Sequence, residues 1–505
     1  MRVEDFLFTS SRAAPEKIAL IAGDQKCPFC DLNERADQLA RTLRTLGLQR
    51  GDRVVSALEN SIEAAVSFFA ILKAGGIFVP LSPQAKPARI ESILRDCTPR
   101  LMICDSRLAA NATLLDAFPD TKVIVAELGK GFPLTQQAGD QEESFPPHPA
   151  GIALDIAMII YTSGSTGIPK GVVMTHQNVV TTAKSIMSYL ENTADDVILN
   201  VLPFWHNYGL YHLLTATAAA ATLVVERSFA FPARILELAE RHSVTALPLV
   251  PTMANVLLQM KDLTAGRIPT LRYLTNAASP LSAEAIQGIL ALFPGARFYS
   301  MYGLTECGRA TYLAPDELTR RPQSVGQPIP GTEAWIVDDD GHRVASGVVG
   351  ELVIRGPHLM KGYWKNEPET AKSLQSGPFP WEKVLHTGDL FRADQDGYLY
   401  FVGRKDDVIK INGEKVSPKQ IEDVIASLGG VRDVAVVAAL DPVSGLRLSA
   451  IIIKEPHGTL TANDILRHCR QNLDAAMIPS SVEFRDANLP RSETGKLNRR
   501  QLAPH

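Results

Sequence analysis

The sequence predicts an α/β protein of helix-covered, mostly parallel sheets, followed by a β-rich stretch and a small α+β unit. Three observations carry this. Helix-period and strand-like apolar segments alternate through the first three hundred residues or so. From about Val325 the pattern changes to short strands separated by turns. A helix-start signal at Ser417, Pro418 and Gln420 then opens a final unit.

The elements follow in order. Residues 32–46 place Leu32, Ala36, Leu39, Leu43 and Leu46 on one helical face. Residues 53–58 read as a strand, and 62–74 as a helix stopped by Gly75 and Gly76. Residues 77–81 are the next strand, and 146–151 break into a new block. Buried strands are expected at 198–203, 221–225 and 246–250, with helices at 233–242 and 252–258. The β-rich stretch, about 325–402, has strands at 334–337, 349–355 and 398–402 and suits a small barrel. After Arg404 come a helix from Ser417, strands at 434–438 and 449–453, a helix from Thr461 and a strand at 482–484. No repeat or low-complexity tract interrupts them.

Composition excludes several classes. The 505 residues are 45% hydrophobic and 21% charged, enough apolar material for several cores. A net charge of −4 lacks the basic footprint of a nucleic-acid binder, so no nucleic-acid partner is expected. Asp5 and Glu4 stand where a signal peptide needs positive charge, which predicts a cytoplasmic protein. The longest uncharged apolar run, 213–225, is short and rich in Ala and Thr, and predicts no membrane span. Cys27 and Cys30 form a CxxC, but no second pair or nearby His completes a metal site, so a structural role is expected.

Chemistry concentrates in the segment from Tyr161 to Gly171. Thr162, Ser163, Gly164, Ser165, Thr166 and Gly167 form an unbroken small-residue run, followed by Lys170. Such a loop wraps a polyphosphate with backbone N–H groups, hydroxyls and one cation. It is not a Walker A loop, because Pro169 precedes Lys170 and Gly171 follows it, and it joins two strands. No Gly-x-Ser-x-Gly elbow is present, which disfavours a serine hydrolase.

Four further segments fall in order along the chain: Tyr302-Gly-Leu-Thr-Glu306, His386-Thr-Gly-Asp389, Gly403-Arg404-Lys-Asp-Asp, and Pro490 to Lys496. With the Thr162–Lys170 loop they closely resemble, over nearly the whole chain, the superfamily of adenylate-forming enzymes: acyl-CoA synthetases, peptide-synthetase adenylation domains and beetle luciferases. The resemblance implies an N-terminal adenylation domain over 1–404, built of two helix-covered, mostly parallel sheets plus a small β-barrel. It further implies a hinge at 405–407 around Asp406 and a small mobile α+β domain over 408–505.

The resemblance also implies roles. Thr162 to Gly167 and Lys170 hold phosphates; Ala278, Ser279, Tyr302 and Gly303 face the nucleotide, with Tyr302 offering an aromatic surface to adenine. Thr305 donates to the α-phosphate, and Glu306 offers a hard oxygen that suits Mg²⁺. Asp389 has two acceptors for the ribose hydroxyls, and Arg404 reaches ribose or phosphate. Lys496 offsets the repulsion between carboxylate and α-phosphate. ATP and a carboxylic acid then give an acyl-adenylate and pyrophosphate. A pantetheine thiol, of CoA or a carrier protein, expels AMP. Between the steps the C-terminal domain turns, Lys496 withdraws, and Lys410 and Gly413 approach.

His206, Asn207, Tyr208, Asn276 and Ala277 should line the acid pocket, with His206 as a gate residue. Amino-acid-activating relatives usually carry Asp where Asn207 stands. The leading expectation is therefore a ligase for a neutral aryl or acyl acid. The alternatives are amino-acid loading of a carrier protein, a luciferase-like oxygenase and an inactive nucleotide-binding regulator.

Overall fold

The computed structural model describes residues 1–111, 116–132, 151–163, 169–277, 281–407, 409–411, 414–441, 445–456, 458–473, 477–491, 497 and 499–502. Two compact units are distinguished. The first comprises Met1–Pro322, Pro328–Glu333 and Arg355–Leu385; the second Gln323–Gln327, Ala334–Ile354 and His386–His505.

The first unit contains two mostly parallel sheets. In one, Tyr273–Asn276 lies between Ala246–Leu249 and Arg297–Tyr302, all parallel. The sheet continues through Val197–Asn200, Thr222–Val225 and Ile18–Ala22, again parallel. The short strands Gln25–Pro28 and Thr311–Leu313 join it antiparallel. In the other sheet, Ile77–Pro80, Arg53–Ala57, Leu101–Asp105 and Lys122–Ala126 run parallel, and Ile156–Ser163 joins Ile77–Pro80 the same way. Pro169–Thr175 pairs antiparallel with Ile156–Ser163. The central strands are buried along their length, as parallel strands covered on both faces must be.

The helix Ile62–Lys73 is buried at every position from Ile62 to Leu72. A helix apolar all round belongs inside, and this one touches strands of both sheets. Ser61 caps its start and Gly75, at φ +80°, ends it as the Gly pair suggests. Among the described residues no helix is long and apolar enough to cross a membrane. Cys27 and Cys30 are free thiols, and burial pushes Cys27 up to about 11, away from thiolate chemistry.

In the second unit Asp389–Ala393, the end of the long strand Lys383–Ala393, pairs antiparallel with Leu399–Arg404. The hairpin Val431–Asp441 and Gly445–Lys454 carries Ser481–Phe484 parallel to its second strand. Val434, Val436, Ala450 and Ile452 pack on Ile421, Ile425 and Ile465 of the helices Pro418–Ala426 and Ala462–Asn472.

Two sequence expectations are corrected. The strand expected at 198–203 ends at Asn200, whose side chain bonds both the N–H and the carbonyl of Leu202 and turns the chain. Ser417 does precede the helix Pro418–Ala426, but its hydroxyl does not cap it. It donates instead to the Val402 carbonyl at 2.9 Å, because Gly403 lets it approach the strand.

Candidate active site

The phosphate-loop candidates are presented by a hairpin. Thr162 and Lys170 stand opposite each other on Ile156–Ser163 and Pro169–Thr175. Gly164, Ser165, Thr166 and Gly167 lie outside the described residues, as does the side chain of Ser163. The Lys170 ammonium is ion-paired with Glu369 and lies 5.6 Å from the ring centroid of Tyr363. Lys170, then Lys372, holds the Glu369 carboxyl below its ordinary range. Glu369 belongs to the helix Glu367–Ser373, capped by Asn366.

Tyr302 ends a parallel strand, the place where open α/β sheets bind ligands. The chain then turns back sharply: Ala310 N–H reaches the Tyr302 carbonyl at 3.0 Å. Gly303 permits this, since a Cβ there would lie 2.9 Å from the Arg309 Cα and the Gly308 carbonyl. The turn presents Thr305 and Glu306. The Thr305 hydroxyl makes no hydrogen bond to a described residue. Glu306 accepts from the Tyr363 hydroxyl at 2.8 Å on Oε1. Its backbone carbonyl accepts from Met360 N–H, also at 2.8 Å. Burial, then the Glu306 charge, raises the Tyr363 hydroxyl's pKa, so it stays a donor. The second Glu306 oxygen accepts from no described residue. One anchored hard oxygen with its neighbour available fits Mg²⁺.

The helix Asn207–Ala218, which carries the acid-pocket candidates, begins at His206, its N-cap residue. Gly209 rests on the backbone below: a Cβ would sit 2.3 Å from the Pro203 carbonyl oxygen and 2.4 Å from that of Leu202. Asn207 Nδ2 donates to the Thr305 carbonyl at 3.2 Å, tying the helix to the Thr305–Glu306 turn. Asn207 Oδ1 is buried without a partner. The Tyr208 hydroxyl is 2.7 Å from Thr275 Oγ1, one residue before Asn276. Asn276 ends its strand, and both it and Ala277 are buried. Ala278 and Ser279 lie outside the described residues. The structure therefore brings Asn207, Tyr208, Asn276 and Thr305 together.

Sequence reasoning passed over three residues here. Tyr363 reaches Glu306 from 57 residues along the chain, and Glu369 reaches Lys170 from 199. Arg309 is only 4% exposed, and its guanidinium lies 5.1 Å from the Tyr208 ring centroid. A lone charge inside the otherwise uncharged run from Cys307 to Leu313 was its one sequence signal.

In the second unit Asp389 is 2% exposed, in the strand Lys383–Ala393. It is not a turn residue. Arg404 stands opposite it, Nε 2.9 Å from Oδ1. Glu351 holds the adjacent segment: Oε1 accepts from Gly388 N–H at 2.9 Å, and Oε2 meets Lys405 at 2.9 Å and His386 at 3.5 Å. Asp406 is exposed in the single turn Lys405–Asp407. Lys410 is in the strand Ile409–Ile411, its side chain outside the description, and Gly413 and Lys496 lie outside the described residues.

The comparisons with known proteins identify the family. The AMP-binding enzyme model matches residues 7–364 and the AMP-binding enzyme C-terminal domain model residues 420–496. A long-chain-fatty-acid–CoA ligase of Salmonella typhimurium is 30% identical, over 99% of this chain and 93% of its own. ATP-bound MatB from Rhodopseudomonas palustris superposes with a TM-score of 0.91 at 29% identity, covering 99% of this chain and 98% of that one. The o-succinylbenzoate CoA synthetase of Bacillus subtilis, solved with its acyl-adenylate, gives 0.84 at 26% identity, covering 98% and 97%. The chain belongs to the AMP-binding enzyme family and is an AMP-forming acid–thiol ligase.

Proposed function

We propose that the acid is an aryl or acyl acid without an α-ammonium group, and that the accepting thiol is that of CoA. One observation carries the substrate reading. Asn207, at the head of the pocket helix, meets no described carboxylate, and a buried cation, Arg309, lies under its neighbour Tyr208. An ammonium entering here would lose its water and gain no anion, at a cost of several kcal/mol. The CoA reading is supported by the names of the fatty-acid–CoA ligase and the o-succinylbenzoate CoA synthetase, whereas tyrocidine synthase 2, 31% identical over 97% of this chain, supports the carrier-protein alternative.

In the first step a carboxylate oxygen attacks the α-phosphorus of ATP. The bond to pyrophosphate breaks and a mixed anhydride forms. The Thr305 hydroxyl, free of described partners, donates to the α-phosphate oxygen. Lys170 exchanges Glu369 for the β- and γ-phosphates. Tyr302 stacks on adenine, Asp389 accepts from the ribose hydroxyls, and Lys496 offsets the charge that develops between the two anions. Mg²⁺ held by Glu306 would neutralise phosphate charge. In the second step the thiolate attacks the acyl carbon and AMP leaves with the bonding pair.

ATP–pyrophosphate exchange over a panel of acids tests the reading. Acids without an ammonium group should exchange faster than their α-amino counterparts. Asn207→Asp should lower exchange with the former, because it adds an unpaired carboxylate beside them. Exchange strongest with an amino acid would overturn the proposal and favour carrier-protein loading.

A further inference from the structure

Arg309 is a buried cation with no anion. It is 96% withdrawn from solvent, and its Nε–H is buried without an acceptor. No described carboxylate pairs with it. The guanidinium hydrogen-bonds Tyr189, and its charge also acts on Tyr208, Tyr211 and His212, none of which supplies an anion. Burial first, and then Arg309, brings His212 down to about 3, so no second cation shares the site. An arginine is an expensive choice for filling space, since its charge stays on at every physiological pH. Buried charges are normally paired, and an unpaired one asks for a partner from outside the chain.

Its position says which partner. Arg309 follows Glu306 by three residues in the same turn, and Gly303 is packed directly on its Cα. Its guanidinium lies against the ring of Tyr208, whose neighbours Asn207 and Asn276 belong to the acid pocket. The charge is thus set against the Tyr208 ring, on the head of the helix that begins at Asn207. A guanidinium presents a planar fork that matches a carboxylate in two parallel hydrogen bonds.

We propose that Arg309 receives a second carboxylate at the far end of the acid, so that the substrate is a dicarboxylic acid activated at one end only. This rests on the reading that Asn207 and Tyr208 line the acid pocket. It refines the class given above, from an acid without an ammonium to one with an added negative charge. The mono-adenylate follows without further machinery: the Arg309 end is held as an ion pair, and only the other carboxylate reaches the α-phosphate.

Pyrophosphate exchange with matched skeletons tests it: benzoate against isophthalate, and hexanoate against adipate. The dicarboxylate of a pair should have the higher kcat/KM, by about tenfold or more. Arg309→Gln should collapse that ratio by a similar factor, mostly through KM, and Arg309→Lys should retain part of it. If Arg309→Gln fails to fold, the wild-type ratio and the Arg309→Lys ratio decide. Equal losses for both acids of a pair, or a wild type that prefers the monocarboxylate, would make Arg309 structural and overturn the proposal. Amino acids exchanging fastest would instead overturn the pocket reading beneath it.

Discussion

Arg404 and Asp389 face each other across two antiparallel strands, Nε 2.9 Å from Oδ1, with the carboxylate buried and the guanidinium 41% exposed on its side chain. The pair orients the carboxylate from one side.

Asp389→Asn should therefore weaken ATP binding more than stability. Hydrogen bonds to a charged group are worth roughly 1.5–3 kcal/mol, so KM for ATP should rise by about ten- to a hundredfold. The partly exposed Arg404 left behind can rehydrate, and the melting temperature should move little. An unchanged KM for ATP would remove Asp389 from the nucleotide site.

Tyr363→Phe deletes the one described hydrogen bond to the Glu306 side chain. The carboxylate then samples more rotamers, and the Mg²⁺ concentration for half-maximal pyrophosphate exchange should rise severalfold. Maximal exchange at saturating Mg²⁺ should recover most of its value. Superimposable Mg²⁺ curves would show that Glu306 is not held for a cation.

Glu351 carries a pH signature. Burial alone would raise its carboxyl, but hydrogen bonds from His386, Lys405 and Gly388 N–H bring it from 4.5 down to about 2. A folded-state value below the unfolded one stabilises the protein above the unfolded value. That stability is lost as pH falls from about 4.5 toward 2. Glu351→Gln should cost about 1–3 kcal/mol at neutral pH and flatten the decline in acid. Denaturant melts of both proteins between these limits measure it, and parallel declines would contradict the assignment.

Lys496→Ala should nearly abolish adenylate formation while ATP binding and melting stay close to wild type. Loss of one transition-state charge contact costs on the order of 3 kcal/mol, or about a hundredfold in rate. Normal exchange would dismiss the lysine.

Asp406→Pro separates the two half-reactions. The ring fixes φ in the turn Lys405–Asp407. Adenylate formation should persist while thioester formation from supplied acyl-adenylate falls sharply. Equal losses in both steps would mean that 406 is no selective hinge.

Much of the fold was legible because period and punctuation agree: buried strands of four to six residues, amphipathic helices, Gly75 at a helix end. The site was legible where its residues are local. Thr162 and Lys170 face each other because a short loop joins two apolar strands. Partners from distant segments left no local trace, as with Tyr363 on Glu306 and Glu369 on Lys170. The strand expected at 398–402 left Arg404 outside it, whereas the observed strand runs Leu399–Arg404. The strand continues since Ser417 packs where a side chain would have been. Asn200 was read as strand interior, whereas its amide bonds to Leu202 end the strand.

The contact of Gly209 with the carbonyls of Leu202 and Pro203 has a consequence for how such enzymes diversify. The height and tilt of the helix Asn207–Ala218 are set by main chain meeting main chain. Side chains at 207 and 208 can then be exchanged without shifting the frame that displays them. With the acid pocket proposed here, substrate preference becomes a separable variable, open to revision by single codon changes, while position 209 has no room for a side chain. A lineage built this way can explore new acids without first solving its folding problem again.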